Sequence, residues 1–345
     1  MLQRMCCMVA ICVYLMLSQI AAQALLLVGL PFLSRRAYNR LAQYVQGMYL
    51  KAFVQLYERN ANLKIYVSGD AVDKRGSAKD SALVVINHAA AHGDWAPLYS
   101  LAARAGLLGA VKTVAKASLI WAFPFGTGMW LMNWPLLKRK WQTDKGYLER
   151  KLRRYGEDGG NLQLWLFPEG TRWTKAKHAE AVSFAKERKI CDGWLPKHTM
   201  VPRVKGFVAL KRGLHGIATH MYDVTVAYTG FELKEGEKGP GLSDVFLPRT
   251  RRGAKECAYH LHVRRIEIDQ IPDSGGDDDG KLKEFIYKTF KEKDALLEKF
   301  YEQEQPSFPG PRQLAPLPAS DWMPPTIFFC SAIAGACGFA ARFFF

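Results

Sequence analysis

The chain has 345 residues, of which 49% are hydrophobic and 12% aromatic, and a formal net charge of +16. This length and composition exclude a disordered protein and suffice for one large domain or two smaller ones. The positive charge suits an anionic membrane surface, small anionic substrates or nucleic acid, but no RNA- or DNA-binding signature accompanies it. The seven cysteines follow neither a metal-ligand spacing nor a disulfide framework, which fits a reducing compartment.

The N-terminus contains an apolar stretch without charges at residues 5–34. It exceeds the roughly 20 residues that a membrane-spanning helix needs. Because Arg35 and Arg36 follow it, the positive-inside rule predicts that the C-terminal side faces the cytosol. A cleaved signal peptide is the alternative, although its apolar region would be shorter. We expect residues 1–34 to form an uncleaved membrane anchor, which either crosses once or returns at residues 29–31.

Strands that alternate with helices predict an α/β fold, a mixed sheet flanked by helices, over residues 35–304. A Pro-rich linker is expected over residues 305–326. The apolar residues 327–345 could insert into a membrane, lie at its interface or form an unstructured tail. The predicted strands are 63–67, 82–86, 109–114, 135–137, 162–166, 221–228 and 259–268. The predicted helices are 35–58, one starting near 94, 119–132, 144–154, 175–188 and 281–301, and residues 274–280 read as a solvated loop.

Two segments, residues 87–95 and 167–172, carry the candidate chemistry, and each follows an apolar strand-like run. In open α/β sheets, active sites lie beyond the carboxyl ends of strands. The first segment offers His88 with the nearby carboxylate of Asp94, the parts of an oriented general base. The second offers a Gly-containing turn with Arg172, a candidate anion clamp. Together they predict group transfer to a phosphorylated alcohol.

These segments belong to four blocks through which the sequence resembles the glycerophospholipid acyltransferase family, specifically the 1-acyl-glycerol-3-phosphate (lysophosphatidic acid) acyltransferases. The resemblance extends from about residue 82 to residue 301. Any one block is a weak signal, whereas four in this order at suitable separations are specific. The blocks are residues 87–95, 137–141, 167–172 and 201–207, and residues 222–226 and 293–297 are similar to the eukaryotic long-chain branch.

The resemblance implies that an acyl group passes from acyl-CoA to the sn-2 hydroxyl of 1-acyl-glycerol-3-phosphate, giving phosphatidic acid. His88 would be the general base and Asp94 would hold its tautomer. Because a thioester is already activated, we expect no covalent enzyme intermediate, metal or prosthetic group. The implied phosphate contacts are Arg139, Glu169, Gly170, Thr171 and Arg172, and Pro202, Arg203 and Lys205 would shape the pocket or meet phosphate or coenzyme A.

The expected partners are lysophosphatidic acid, acyl-CoA and membrane lipids, with no nucleic acid. The expected location is the endoplasmic reticulum membrane, with the catalytic domain facing the cytosol, or a plastid envelope. Each motif also has a structural alternative. His88 could be a turn histidine, Arg172 a surface arginine, Arg139 part of a solvated basic cluster, and residues 202–205 a strand-to-helix turn.

One departure from the family pattern affects the histidine. The family has four residues between His and Asp, whereas five separate His88 from Asp94. Neither spacing brings both side chains to one helix face, because residues advance by about 100° each. The pair must therefore form across a loop-to-helix junction. His92 is a rival base, and a catalytically silent family member is an alternative function.

Two other functions stay open at this stage. The same chemistry could act on glycerol 3-phosphate or on another lysophospholipid. A nucleic-acid-binding protein would explain the charge of +16 but would leave the apolar N-terminus and C-terminus unexplained.

Overall fold

The computed structural model describes residues 2–61, 63–70, 81–90, 93–191, 193–272 and 279–318. Within these ranges a mixed seven-stranded sheet has the strand order β3-β6-β2-β7-β8-β1-β9, and β4 and β5 form a separate two-stranded sheet. The strands are β1 (Lys64–Gly69), β2 (Ser81–Ile86), β3 (Val111–Thr113), β4 (Ala115–Lys116), β5 (Leu136–Leu137), β6 (Gln163–Leu166), β7 (Ala218–Thr229), β8 (Ala258–Glu267) and β9 (Arg312–Gln313).

Helices cover both faces of the sheet, as the alternation of strands and helices predicts. They are α1 (Leu2–Gly29), α2 (Arg35–Ala61), α3 (Trp95–Arg104), α4 (Phe125–Leu131), α5 (Trp141–Asp158), α6 (Lys175–Arg188), α7 (Val204–Gly213), α8 (Leu242–Phe246) and α9 (Gly280–Tyr301). The central strand β2 shows the two layers directly. Val84 and Ile86 pack into the core with α2 and α3, whereas Leu83 and Val85 pack into the core with α5, α7 and α9.

The register of β2 aligns the two motif segments. β2 pairs in parallel with β6, and Val85 lies opposite Leu166. His88 and Glu169 each follow three residues after this aligned pair, so both emerge at the same edge of the sheet. On the other side of β2, the Asn87 side chain extends the ladder to β7. Its Nδ2 donates to Val226 O (3.1 Å), and its Oδ1 accepts from Val226 N (2.8 Å).

Helix α1 packs one face on the domain and exposes the other. Its buried stripe includes Ile11, Leu15, Ala22 and Leu26, and it contacts α2 and α4. Within the described part of the chain, residues 9–29 form one helix that is long and apolar enough to cross a membrane. The predicted boundaries of the anchor, domain and linker stay a prediction. Residues 319–345, which include the whole predicted C-terminal apolar segment, lie outside the described ranges.

The structure corrects two predicted elements. The expected helix at 119–132 is correct only in its second half, because a 3₁₀ helix occupies Ala117–Trp121 and α4 begins at Phe125, after Pro124. Proline lacks the N–H that a helix interior requires. The expected strand at 109–114 is shortened to β3, because a 3₁₀ helix occupies Leu108–Ala110. The sequence reading also missed α7, α8, β4 and β9. The loop predicted at 274–280 falls mostly outside the described residues, as does His92.

Candidate active site

His88 and Asp94 are in direct contact. His88 Nδ1 lies 2.6 Å from Asp94 Oδ2, and the carboxylate is fully buried while the imidazole keeps 20% of its surface exposed. Ala90 N donates to both Asp94 oxygens at 3.1 Å, which fixes the carboxylate against the turn that precedes α3. The pair therefore forms across a loop-to-helix junction, and the additional residue between His88 and Asp94 does not separate them.

Asp94 accepts a further hydrogen bond that the sequence reading missed. The hydroxyl of Tyr228 donates to Asp94 Oδ1, on the side of the carboxylate away from His88. Tyr228 follows at the carboxyl end of β7, which runs parallel to β2. A polar-tipped aromatic at this strand end, two residues after the block at 222–226, was the available signal.

The electrostatics of the pair favour an oriented base. Burial lowers the pKa of His88. The hydrogen bond with Asp94 and the charge of Asp94 outweigh this effect, so the pKa of His88 lies above its ordinary 6.5. Burial raises the pKa of Asp94, and the hydrogen bond from His88 opposes this effect. With Nδ1 held by Asp94, Nε2 is the nitrogen that can exchange a proton with a substrate.

The second motif meets the first through Glu169. His88 N donates to Glu169 Oε2 (3.0 Å), and Met200 N donates to Glu169 Oε1 (3.3 Å). In addition, Trp173 N donates to His88 O (2.9 Å). The carboxylate is buried, and burial raises its pKa to about 7. Both carboxylate oxygens accept hydrogen bonds from backbone amides, so Glu169 joins the loops of the site. These contacts differ from the predicted contact with a substrate phosphate.

Arg203 and Gly170 bring the fourth block to the same turn. Gly170 has a φ of +70°, and a Cβ there would lie 2.8 Å from Arg203 Cδ. Arg203 N donates to Pro168 O (2.7 Å). Glycine is needed both for the left-handed backbone and for the approach of the guanidinium.

Two further arginines lie close to these groups. Partial burial and then the charge of Arg203 lower the pKa of Arg139, and the charge of Arg172 acts on His88. All three guanidinium-bearing residues are exposed, and none forms an ion pair with another described residue. Arginines without a described counter-ion beside the two motif turns form a candidate anion site.

The remaining predicted residues occupy different positions around the turn. Thr171 is partly buried beside Gly170, and Pro202 is buried. Lys205 is exposed in the first turn of α7, which begins at Val204. The alternative of a strand-to-helix turn at residues 202–205 is correct only for the start of the helix, because irregular backbone rather than a strand precedes Val204 among the described residues. This turn is compatible with Arg203 facing the Gly170 turn.

Helix α9 supports the site through two neighbouring residues. Asp294 accepts from Lys197 N (2.9 Å), His198 N (2.8 Å) and Thr199 N (2.8 Å), and from the side chains of Trp194 (3.3 Å) and Thr199 (3.0 Å). These contacts fix the loop that delivers Met200 N to Glu169.

Lys293 makes the second connection. It is fully buried, donates to Val224 O (2.6 Å) and forms an ion pair with Asp223. Removing one partner of such a buried pair typically costs about 3–5 kcal/mol. The similarity blocks at 222–226 and 293–297 therefore meet in space.

Lys238 is another residue that the sequence reading missed. Its Nζ donates to Lys197 O (2.8 Å) and lies 4.5 Å from the centroid of the Trp173 ring. The next two residues also contact the first motif, because a Cβ on Gly239 would lie 2.5 Å from Ala90 Cβ, and Pro240 O is 2.6 Å from the Cβ position of Gly93. The loop between β7 and α8 thus lies against the turns that follow β2 and β6.

Among the described residues, no group of three or more His, Cys, Asp or Glu side chains could hold a metal ion. The expectation that the chain uses no metal or prosthetic group stays a prediction.

Comparison with known proteins identifies the family. The family model "Acyltransferase" matches residues 64–229, and "Acyltransferase C-terminus" matches residues 252–329. A probable 1-acyl-sn-glycerol-3-phosphate acyltransferase 5 from Arabidopsis thaliana is 30% identical over 274 residues, which cover 79% of this chain and 67% of the relative. The chain belongs to the 1-acyl-sn-glycerol-3-phosphate acyltransferase family.

Two further known proteins are similar to this chain. The 1-acyl-sn-glycerol-3-phosphate acyltransferase epsilon of Mus musculus is 29% identical over 80% of this chain and 73% of its own length. A crystal structure of the 1-acyl-sn-glycerophosphate (LPA) acyltransferase PlsC from Thermotoga maritima superposes with a TM-score of 0.40 at 13% identity, covering 83% of this chain and 98% of that chain.

These findings confirm the family predicted from the four blocks, and the mixed sheet flanked by helices confirms the predicted fold class. The protein is an acyltransferase, and its apolar α1 indicates membrane association.

Proposed function

We propose that this acyltransferase transfers a fatty acyl group from acyl-CoA to the sn-2 hydroxyl of 1-acyl-glycerol-3-phosphate, producing phosphatidic acid. The observation that carries the proposal is the 2.6 Å contact between His88 Nδ1 and Asp94 Oδ2, one hydrogen bond away from the Glu169 turn. Relatives named for this activity support the choice of acceptor.

In the proposed step, Nε2 of His88 takes the proton of the lysolipid hydroxyl. The hydroxyl oxygen attacks the thioester carbonyl carbon, the carbon–sulfur bond breaks, and the departing thiolate receives the proton from Nε2. Asp94 holds Nδ1 and stabilises the imidazolium that forms between these events. General-base assistance of this kind contributes on the order of 10²–10⁴-fold to the rate.

The acceptor phosphate is proposed to bind between Arg139, Arg172 and Arg203. Partial burial and then the charge of Arg203 lower the pKa of Arg139, and a dianion would relieve the second effect. Guanidinium groups suit phosphate because they donate two parallel hydrogen bonds. Gly170 and Thr171 form the turn that carries Arg172. We propose that Glu169 acts indirectly, by holding His88 and Met200 in place.

Pro202 and Lys205 are proposed to border the acyl-CoA side of the pocket. Pro202 is buried directly before Arg203, and the exposed Lys205 offers a charge to an acyl-CoA phosphate. The proposed location is the endoplasmic reticulum membrane with the domain in the cytosol, or alternatively a plastid envelope. The apolar α1 followed by Arg35 and Arg36 supports this orientation.

The test is acyl transfer by membranes that contain the full chain, assayed with acyl-CoA and a panel of lysophosphatidic acid, glycerol 3-phosphate and lysolipids with head groups. We expect transfer to lysophosphatidic acid, at the sn-2 position, and its loss in His88→Ala at equal expression. Preference for another acceptor, or full activity of His88→Ala, would overturn the proposal. Replacing acyl-CoA by an acyl carrier protein thioester tests the donor.

The silent-member alternative has its own test. Ala90 N donates to both oxygens of Asp94, so deleting Ala90 should abolish acyl transfer rather than restore it. A large gain of activity in this deletion would mean that the additional residue disables the site.

A further inference from the structure

The segment between β4 and β5 forms an excursion that exposes a cluster of large apolar side chains. It leaves the small sheet after Lys116 and returns at Leu136. Its exposed apolar residues are Leu119 (41%), Trp121 (87%), Phe123 (62%), Phe125 (41%) and Trp130 (55%). Large exposed apolar side chains concentrated in one short segment indicate an interaction site rather than an ordinary surface.

The excursion is fixed to α1 by polar contacts. Gln23 Nε2 donates to Pro124 O (2.7 Å), and Thr127 Oγ1 donates to Gln23 Oε1 (2.7 Å). A Cβ on Gly128 would lie 1.8 Å from Gln19 Nε2, so α4 lies directly against α1. Gln19 and Gln23 are both buried in an otherwise apolar helix. The excursion is therefore held beside α1 while its aromatic side chains remain exposed.

Helix α1 contributes apolar surface from its own exposed face. Val9 (62%), Val13 (48%), Leu17 (42%) and Ile20 (39%) recur at helical spacing away from the buried stripe. Helix α1 and the excursion thus both expose apolar side chains. This surface continues from the one described helix that is apolar enough to enter a bilayer.

The composition of the excursion favours a lipid surface as the occupant. Tryptophan is enriched at membrane–water interfaces because one end of the ring system is apolar and the other carries a hydrogen-bond donor. Exposed basic residues flank the excursion, with Lys116 before it and Lys138 and Lys140 after it. Basic residues beside a membrane-contacting segment are attracted to anionic head groups.

We propose that residues 119–130 form a second membrane contact, in which Trp121, Phe123 and Trp130 enter the interfacial region of the bilayer beside α1. Arg139 follows two residues after β5. The same excursion then connects the lipid surface to a candidate phosphate contact, so that a lysolipid can reach the site while its acyl chain remains near the bilayer.

The first test uses the full chain in vesicles of brominated phosphatidylcholine, which quenches tryptophan fluorescence on contact. The chain has nine tryptophans, so the readout is the change in the quenched fraction between variants. The quenched fraction should fall in Trp121→Phe and in Trp130→Phe. Trp165→Phe is the control, because Trp165 is buried in β6, and it should not lower the quenched fraction. An unchanged quenched fraction in both excursion variants would overturn the proposal.

The second test measures transfer of the full chain from detergent to vesicles that contain some phosphatidic acid. The triple variant Trp121→Ser, Phe123→Ser, Trp130→Ser should partition at least about tenfold less, given the apolar area that leaves the lipid. Phe184→Ser is the matched control, because Phe184 on α6 is also exposed (43%). Equal partitioning of the triple variant and the wild type would overturn the proposal.

A second copy of this chain is the competing occupant. It would give unquenched tryptophans at 121 and 130 together with a smaller particle for the triple variant in detergent, and that result also overturns the proposal. Neither test uses acyl transfer, so failure here is distinguishable from failure of the proposed enzymatic function.

Discussion

The backbone amide of His88 donates a 3.0 Å hydrogen bond to the carboxylate of Glu169, 81 positions later in the chain. The base and the phosphate-side turn are therefore parts of one structure, joined at the shared edge of β2 and β6. We therefore expect a single glycerol backbone to reach both, as the proposed one-step transfer requires.

The acid side of the pH–rate profile should report His88. The base acts in its neutral form, and its contact with Asp94 raises its pKa above 6.5. The rate should therefore fall as the pH drops through a midpoint above 6.5. In Asp94→Asn the loss of the negative charge should move this midpoint to lower pH, while kcat falls because the tautomer is no longer held. Identical profiles for the two proteins would argue against the pair.

Tyr228→Phe should lower kcat with little change in KM. The variant removes a hydrogen bond to the buried carboxylate of Asp94, and bonds to charged groups contribute about 1.5–3 kcal/mol. Tyr259→Phe is the matched control. Tyr259 is buried beside Tyr228, with ring centroids 5.5 Å apart, and its hydroxyl has no hydrogen-bond partner among the described residues. Equal kcat for the two variants would remove Tyr228 from the site.

Glu169 should make stability depend on pH in an unusual direction. Burial raises its pKa from 4.5 to about 7, so the folded protein holds this proton more tightly than the unfolded chain. The contribution of Glu169 to the free energy of unfolding is complete below pH 4.5 and is lost as the pH rises towards about 7.

Glu169→Gln cannot titrate, so the stability difference between wild type and variant should change by about 3 kcal/mol across this window. Denaturant unfolding of the detergent-solubilised chain at several pH values measures it. A constant difference across the window would contradict the raised pKa.

Arg172→Ala and Arg203→Ala should each raise the KM for the lysolipid, by roughly 10- to 100-fold if a charge-assisted hydrogen bond to phosphate is lost. Since the phosphate does not react, kcat should change less. Arg153→Ala, on the exposed surface of α5 (70% exposed side chain), should leave KM unaltered. Should the site variants also keep the wild-type KM, phosphate binding there is refuted.

Asp294→Asn should lower both stability and kcat. The new amide group would face Lys197 N or His198 N as donor against donor, at a cost of about 1–3 kcal/mol. Glu298→Gln, one turn later on α9, changes only an exposed ion pair with Lys197 and should cost less than about 0.5 kcal/mol. Thermal unfolding and initial rates measure both effects. Similar losses in the two variants would show that Asp294 has no special role.

Local sequence was sufficient to place the motif residues after the ends of strands. His88, Asp94, Gly170 and Arg172 were predicted because each motif follows an apolar strand that is recognisable from its own composition. The mixed sheet followed from the alternation of elements. The contact between the two motifs depends on strand register, which a single segment does not encode.

The missed features depend on tertiary structure or on an ambiguous pattern. Tyr228 and Asp294 act on residues about a hundred or more positions away. The blocks at 222–226 and 293–297 point to these parts of the chain, but they do not reveal which residues Tyr228 and Asp294 contact. The apolar run at 119–132 was predicted as one continuous helix, whereas only Phe125–Leu131 is α-helical, because apolar periodicity alone does not show where such a run is interrupted. Pro124 was the signal that could have divided it.

The hydrogen bonds of Asp294 have a consequence for biosynthesis. A nascent chain that ends near residue 229 would already contain every residue to which we assign chemistry, yet the loop that supplies Met200 N would lack its carboxylate. Most of α9 must therefore be synthesised before the turns that follow β2 and β6 can adopt their final geometry. Truncated translation products should not react with thioesters.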